Sequence, residues 1–348
     1  MLIIWHRYNC KYILNKEMAK VIIAIHGLRN KPTKEILSKW AYMSIKEGQE
    51  KAYLKFEMPV FELAYWADIL YDKPLSENEK DKKDPCFLDE VYVPAENDNT
   101  PKNHNFIRKT KTIFKKIIYS VFLNSQYKLR FAFISKSFIH NNFKDLEVYF
   151  TENCEKVQSE DCIKKEEINN RLIQLLEKYK NDEIFLIAHS MGSIIAFDVL
   201  SFIEKDILIN TFVTIGSPLG APFVISKLAK LSKSENQGNI KLQTPESVNK
   251  HWYNFSDITD NIAMDYKLSD DFEANSKGVK VEDQIVINTY KMNGKPNPHK
   301  SFGYLRTPEF IKVFSEFINK KEWIKETEAR CPVTDNIKDG TKIIVGNI

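Results

Sequence analysis

No CxxC pair occurs among the five cysteines Cys10, Cys86, Cys154, Cys162 and Cys331. They are scattered and odd in number, which argues against a disulfide framework or a zinc site and reads as reduced thiols in a cytoplasmic protein. No stretch approaches the ~20 apolar residues needed to cross a bilayer. The apolar run at the N-terminus, Met1 to Trp5, is too short for a signal segment and is followed at once by His6, Arg7 and Tyr8, so a soluble protein is expected. No Cys/His/Asp cluster has metal-ligand spacing, and no cofactor is expected. A net charge of +4 on 348 residues is small and comes with no recognition motif, so nucleic acid is not an expected partner. There is no internal repeat. What remains is 43% hydrophobic and 28% charged, the make-up of a globular protein long enough for one large α/β domain with an insertion, or for two small domains.

Apolar runs and amphipathic stretches alternate along the chain. VIIAI at 21–25 reads as a buried parallel strand ending at His26-Gly27. Pro32 and Thr33 open an amphipathic helix to about Glu47, and a strand is expected over Val60 to Trp66. A polar helix is expected over 164–180, a buried strand over Glu183 to Ala188 and a mostly apolar helix over Ser193 to Ile203. Further strands are expected at 211–215, 252–255 and 285–290, and an amphipathic helix over 309–323 closes the pattern. Such alternation predicts a mostly parallel central sheet flanked by helices on both faces.

The pattern fails between Asp68 and Phe150. Its first half, to about Thr100, holds charge clusters and the prolines Pro74, Pro85 and Pro94, and reads as an irregular insertion. Its second half carries ten basic residues and no acid from Lys102 to Lys144, interleaved with aromatics, with helical spacing over Ile107 to Val121. Two readings stand: a helical cap packed by its aromatic face with solvated lysines outside, or a lid making peripheral contact with an anionic membrane.

The segment Ala188-His189-Ser190-Met191-Gly192 lies between an expected strand and an expected helix. A serine on that tight turn is held in a strained conformation with small residues two before and two after it, which Ala188 and Gly192 supply. Its hydroxyl projects above the sheet, and the Met191 amide points into the same space at the positive end of the helix. The alternative is a serine that only caps the helix. Two histidines follow it, His251 and His299. His251 precedes a strand, at the wrong end of the sheet. His299 follows one, at the carboxyl end where catalytic groups of parallel sheets collect. The acid should follow WYNF, and both Asp257 and Asp260 qualify, with Asp265 more remote. Asp260 is preferred because the apolar Ile262 turns the loop back into the protein, whereas Asp257 also reads as a turn carboxylate. The loop after the first strand, His26-Gly27-Leu28, offers the Leu28 amide as a second oxyanion donor, Gly27 letting the backbone come close. His26, Gly27, His189, Gly192 and Asp257 are expected in supporting positions.

HGL at 26–28, AHSMG at 188–192, TIGSPL at 214–219, SDITD at 256–260 and HKSFGYL at 299–305 occur in that order. Together they make the chain resemble the α/β-hydrolase superfamily, and within it bacterial lipase- and esterase-like serine hydrolases. The resemblance spans about 20–320, with a gap at the insertion. It implies an α/β-hydrolase fold over 18–325 with a cap insertion at 68–150, leaving 326–348 as a tail of unknown structure. It also favours Asp260 as the acid, and Ala188 is a tolerated departure from the glycine at that point. The implied activity is cleavage of a carboxylic or lipid ester by Ser190, His299 and Asp260. The alternatives are acyl transfer by the same groups, or a hydrolase-fold protein that binds a membrane or partner without catalysis.

Overall fold

The computed structural model describes residues 18–89, 91–95, 148–150, 159–235, 242–263 and 265–320, with side chains left out for 233–235. The basic segment 102–144 expected to form a cap or membrane contact, and the tail 326–348, lie outside the described residues.

Six parallel strands form the sheet: β1 Lys20–Ile25, β2 Val60–Ala64, β3 Glu183–His189, β4 Ile209–Ile215, β5 Val248–Asp257 and β6 Val281–Val286. They lie in the order β2-β1-β3-β4-β5-β6. Lys291–Met292 and Lys295–Pro296 add a small antiparallel ladder, β7 and β8. β1 and β3 are apolar on both faces because each is covered by helices on both sides. Alternate residues therefore enter different cores: Val21, Ile23 and Ile25 of β1 face one, and Ile22 faces the other.

On one face lie α1 Lys34–Lys51, α6 Ser301–Leu305 and α7 Pro308–Asn319. α1 starts at Thr33, whose hydroxyl accepts from the Ile36 amide at 3.5 Å, and turns Leu37, Trp40, Ala41 and Ile45 inward. α7 starts at Thr307 with Pro308 in its first turn, where a missing N–H costs nothing. On the other face lie α3 Glu160–Lys178, α4 Met191–Asp198 and α5 Pro222–Glu235, while the short α2 Ala67–Leu70 follows β2. α3 is capped by Ser159, which accepts from the Cys162 amide at 3.3 Å. This six-stranded parallel sheet flanked by helices is the α/β-hydrolase arrangement expected from the motifs.

The strand order places the site. From β1 the chain steps outward to β2, then returns past β1 to β3 and proceeds through β4, β5 and β6. The connections diverge between β1 and β3, and a crevice opens there at the strands' carboxyl ends. Ile25 pairs with Ala188 at that end, so the His26-Gly27 and His189-Ser190 turns emerge side by side.

Three expectations need correction. The strand expected at 285–290 is Val281–Val286 instead. As the edge strand it carries Glu282, Asp283 and Gln284, so it lacks the apolar run that marks the central strands. Its pairing with β5 ends at Val286, and the Asn288 amide turns aside to Asp257 Oδ2 at 2.6 Å. His251 does not precede β5 but lies within it, stacked on Tyr253 with ring centroids 5.3 Å apart. Finally, Cys162 is disulfide-bonded, whereas Cys86 is free. An odd count leaves one thiol over but does not forbid a pair, so the argument for five reduced thiols fails.

Candidate active site

Ser190 stands between β3 and α4 with φ 54° and ψ −128°, a conformation costing about 1–3 kcal/mol for a residue with a side chain. Local bonds hold it there. Its amide donates to the Ile215 carbonyl at 3.2 Å. Its carbonyl accepts from Ser193 Oγ at 2.6 Å, and Ser193 Oγ lies 2.7 Å from Ser217 Oγ, so the turn is braced against the loop after β4. Close approach dictates the small neighbours. A Cβ on Gly192 would stand 2.7 Å from the carbonyl oxygens of Ile25 and His26, and one on Gly27 would stand 2.6 Å from Ser190 Cβ.

Three side chains from three loops meet above the sheet. His299 Nε2 is 3.0 Å from Ser190 Oγ. His299 Nδ1 is 2.8 Å from Asp260 Oδ2 and 3.1 Å from Oδ1. A carboxylate only accepts, so Nδ1 carries the proton and Nε2 presents its lone pair to the serine hydroxyl. Asp260 is fully buried. It also accepts from Tyr304 Oη at 2.8 Å and from the Ile262 amide at 2.9 Å. Burial and the neighbouring Asp260 charge push the Tyr304 phenol well above its ordinary range, so it stays a donor.

Asp257 is occupied elsewhere. Its Oδ1 accepts from the Thr259 amide and hydroxyl, both at 2.6 Å, and its Oδ2 from the Asn288 amide at 2.6 Å. It closes the turn after β5 and faces no histidine. Asp265 caps its own turn, accepting from the Lys267 amide at 2.9 Å.

Two histidines frame the serine. His26 is buried, and its Nε2 accepts from the Trp66 amide at 3.0 Å, so its Nδ1–H donates to the Gly27 carbonyl at 2.8 Å. Burial, reinforced by Lys31, lowers its pKa to about 3, and it stays neutral. No peptide bond among the described residues is cis. With the Gly27 carbonyl turned to His26, the Leu28 N–H points the opposite way. His189 donates from Nε2 to the His299 carbonyl at 2.8 Å. Burial, then the nearby His299, Lys31 and Lys300, keep its pKa well below the ordinary value.

Beside Ser190 lies a cavity of about 540 Å³, lined mainly by apolar side chains such as Leu37, Trp40, Leu63, Leu88, Ile262 and Phe302. Its chemistry and size suit an acyl chain. Among the described residues no group of three or more His, Cys, Asp or Glu side chains is arranged to hold a metal ion, and no helix is long and apolar enough to cross a membrane.

The structure brings Ser190, His299 and Asp260 into contact, sets Gly27, Gly192 and His189 around them, and keeps Asp257 one step away. Sequence reasoning assigned nothing to Trp66, Asn288 or Tyr304. Tyr304 lies inside the quoted HKSFGYL motif, which was a signal. Trp66 and Asn288 carried none, because their parts depend on backbone groups distant in sequence.

The sequence model of the lecithin:cholesterol acyltransferase family matches residues 167–253. That quarter of the chain runs from α3 into β5 and contains Ser190, but stops short of Asp260 and His299. The matched family is an acyltransferase's and adds nothing on bacterial lipases or esterases in particular. No curated protein and no solved structure matches the chain.

Proposed function

We propose that the protein is a serine hydrolase of lipid-type carboxylic esters that works through an acyl-enzyme. The observation that carries this reading is the unbroken line of contacts from Ser190 Oγ to His299 Nε2 at 3.0 Å and from His299 Nδ1 to Asp260 Oδ2 at 2.8 Å. His299 takes the proton of Ser190 as the oxygen attacks the ester carbonyl, then delivers it to the departing alcohol. Asp260 holds the imidazole in the tautomer that leaves Nε2 free and stabilises the imidazolium. The Met191 amide, at the start of α4, and the Leu28 amide, aimed by the His26–Gly27 bond, receive the charge that develops on the carbonyl oxygen. Water activated by His299 then releases the acid.

The apolar cavity supports an acyl chain as the group bound beside Ser190. The match to an acyltransferase family supports a lipid ester, and it is equally compatible with a second reading in which the acyl-enzyme is discharged to an alcohol rather than to water. The two differ only in the final nucleophile.

The test is labelling with a fluorescent fluorophosphonate, beside Ser190→Ala and His299→Ala variants. Labelling of the wild type alone is expected. A folded wild type that stays unlabelled, with detergent or anionic vesicles as well as without, would overturn the hydrolase reading in favour of a non-catalytic binding protein. Product analysis with a long-chain ester, with and without an added alcohol, then separates hydrolysis from transfer.

A further inference from the structure

The loop that carries His299 has no regular secondary structure of its own. It runs from β8, which ends at Pro296, to α6, which begins at Ser301, and its backbone is fixed by side chains from elsewhere. Asn288 Nδ2 donates to the Pro298 carbonyl at 2.8 Å and to the Lys300 carbonyl at 2.9 Å. The carbonyl between them, that of His299 itself, accepts from His189 Nε2 at 2.8 Å. Three successive carbonyls are thus held, with the general base at their centre.

The orientation of the Asn288 amide is determined by its partners. Its Oδ1 accepts from the Tyr290 amide at 3.0 Å, so the nitrogen must face the two carbonyls and spend both of its protons on them. The residue is buried, with 5% of its surface exposed, and its own amide is taken by Asp257 Oδ2 at 2.6 Å. The chain of support therefore runs from Asp257 at the end of β5, through Asn288 beyond β6, to the backbone on both sides of His299.

We infer that Asn288 is a positioning residue for His299, acting together with His189 to clamp the carbonyls of Pro298, His299 and Lys300 so that Nε2 stays within reach of Ser190 Oγ. The inference rests on the proposed hydrolase reading. Asn288 stands away from the cavity, and His189 borders it while its Nε2 is spent on the His299 carbonyl. They fix where the imidazole stands, and a displacement of about 1 Å costs on the order of a hundredfold in rate.

The experiment compares wild type, Asn288→Asp, His189→Leu and His189→Gln in p-nitrophenyl butyrate hydrolysis, with the folded fraction measured by urea denaturation. Asn288→Asp keeps the shape but puts a second acceptor against two carbonyls. Its kcat per folded molecule is expected to fall roughly ten- to a hundredfold, with KM held within about twofold. His189→Leu is expected to lose rate in the same manner. His189→Gln, whose amide can donate to the same carbonyl, should recover a large part of it. The Asn288→Asp/His189→Leu double variant should lose less than the product of the two single losses, because both act on one loop. If Asn288→Asp fails to fold, the His189 pair decides.

Unchanged kcat per folded molecule in Asn288→Asp, or equal losses in both His189 variants, would overturn the inference while leaving the hydrolase reading intact. A folded wild type that neither labels with fluorophosphonate nor cleaves the ester overturns that reading and this inference with it.

Discussion

The Tyr304 hydroxyl donates to Asp260 Oδ2 at 2.8 Å, the same carboxylate oxygen that faces His299 Nδ1, and accepts in turn from the Asp257 amide at 3.0 Å. One phenol thus links the two aspartates that the sequence left in competition. Tyr304→Phe removes a donor from Asp260 and leaves the buried Asp257 N–H without its partner. It is expected to cost about 1–3 kcal/mol of stability, read by urea denaturation, and to lower kcat/KM with the same ester. Wild-type values for both would show the hydroxyl to be dispensable.

The two aspartates should separate sharply. Asp260→Asn deprives His299 of its acceptor and permits the wrong tautomer, so a loss of roughly 10⁴ in kcat is expected. Asp257→Asn disturbs the turn and the Asn288 amide, and its rate loss should be smaller by at least about tenfold, with a larger share of the damage in stability. Steady-state kinetics on the two purified variants decide the matter, and the reverse order would transfer the orienting role to Asp257.

Gly27→Ala tests how closely the β1 loop must approach the serine. The added methyl would stand 2.6 Å from Ser190 Cβ, so either the loop or the serine turn must move. Because the Leu28 amide moves with that loop, a loss of roughly a hundredfold in kcat is expected, the scale of one lost oxyanion donor. Fluorophosphonate labelling rates give a second readout. Retained activity would mean that Leu28 is not a donor.

His26 sets a pH dependence whose sign is fixed by its burial. Its pKa is lowered from 6.5 to about 3 in the fold, so below pH 6.5 the unfolded chain takes up a proton that the folded protein refuses. Stability contributed by this group therefore falls as pH drops from 6.5 toward 3 and is fully present above 6.5. At pH 5 the deficit is about 2 kcal/mol. Urea denaturation at pH 7 and pH 5 should show a steeper loss for wild type than for His26→Leu, although the variant is the weaker protein at pH 7. Parallel losses would assign the acid sensitivity to other groups.

The central strands and the serine turn were legible because each depends on local chemistry: VIIAI and EIFLIA are apolar throughout, and Ala188 and Gly192 flank Ser190 at fixed spacing. β6 was displaced because an edge strand need not be apolar, and VEDQIV hides behind the more hydrophobic residues that follow it. Asp260 and Asp257 stood three residues apart with the same chemistry. Only the fold shows which carboxylate turns toward His299 and which is taken up by Thr259 and Asn288. The disulfide at Cys162 was illegible for a related reason, since pairing depends on distance in space and five scattered cysteines carry no trace of it. The roles of Trp66 and Asn288 rest on hydrogen bonds to residues remote in the chain, Trp66 to His26 and Asn288 to the Pro298 and Lys300 carbonyls, which leave no periodicity or motif.

The order in which the strands join the sheet has a bearing on the protein's synthesis. Ser190 follows β3, in the middle of the sheet, whereas Asp260 follows β5 and His299 follows β6, on the outer edge and late in the chain. On the proposed reading, a growing polypeptide that has reached only β4 carries Ser190 but neither Asp260 nor His299. On that reading, reactivity toward esters waits for β5, β6 and the loop beyond them, which bring Asp260 and His299 to the serine.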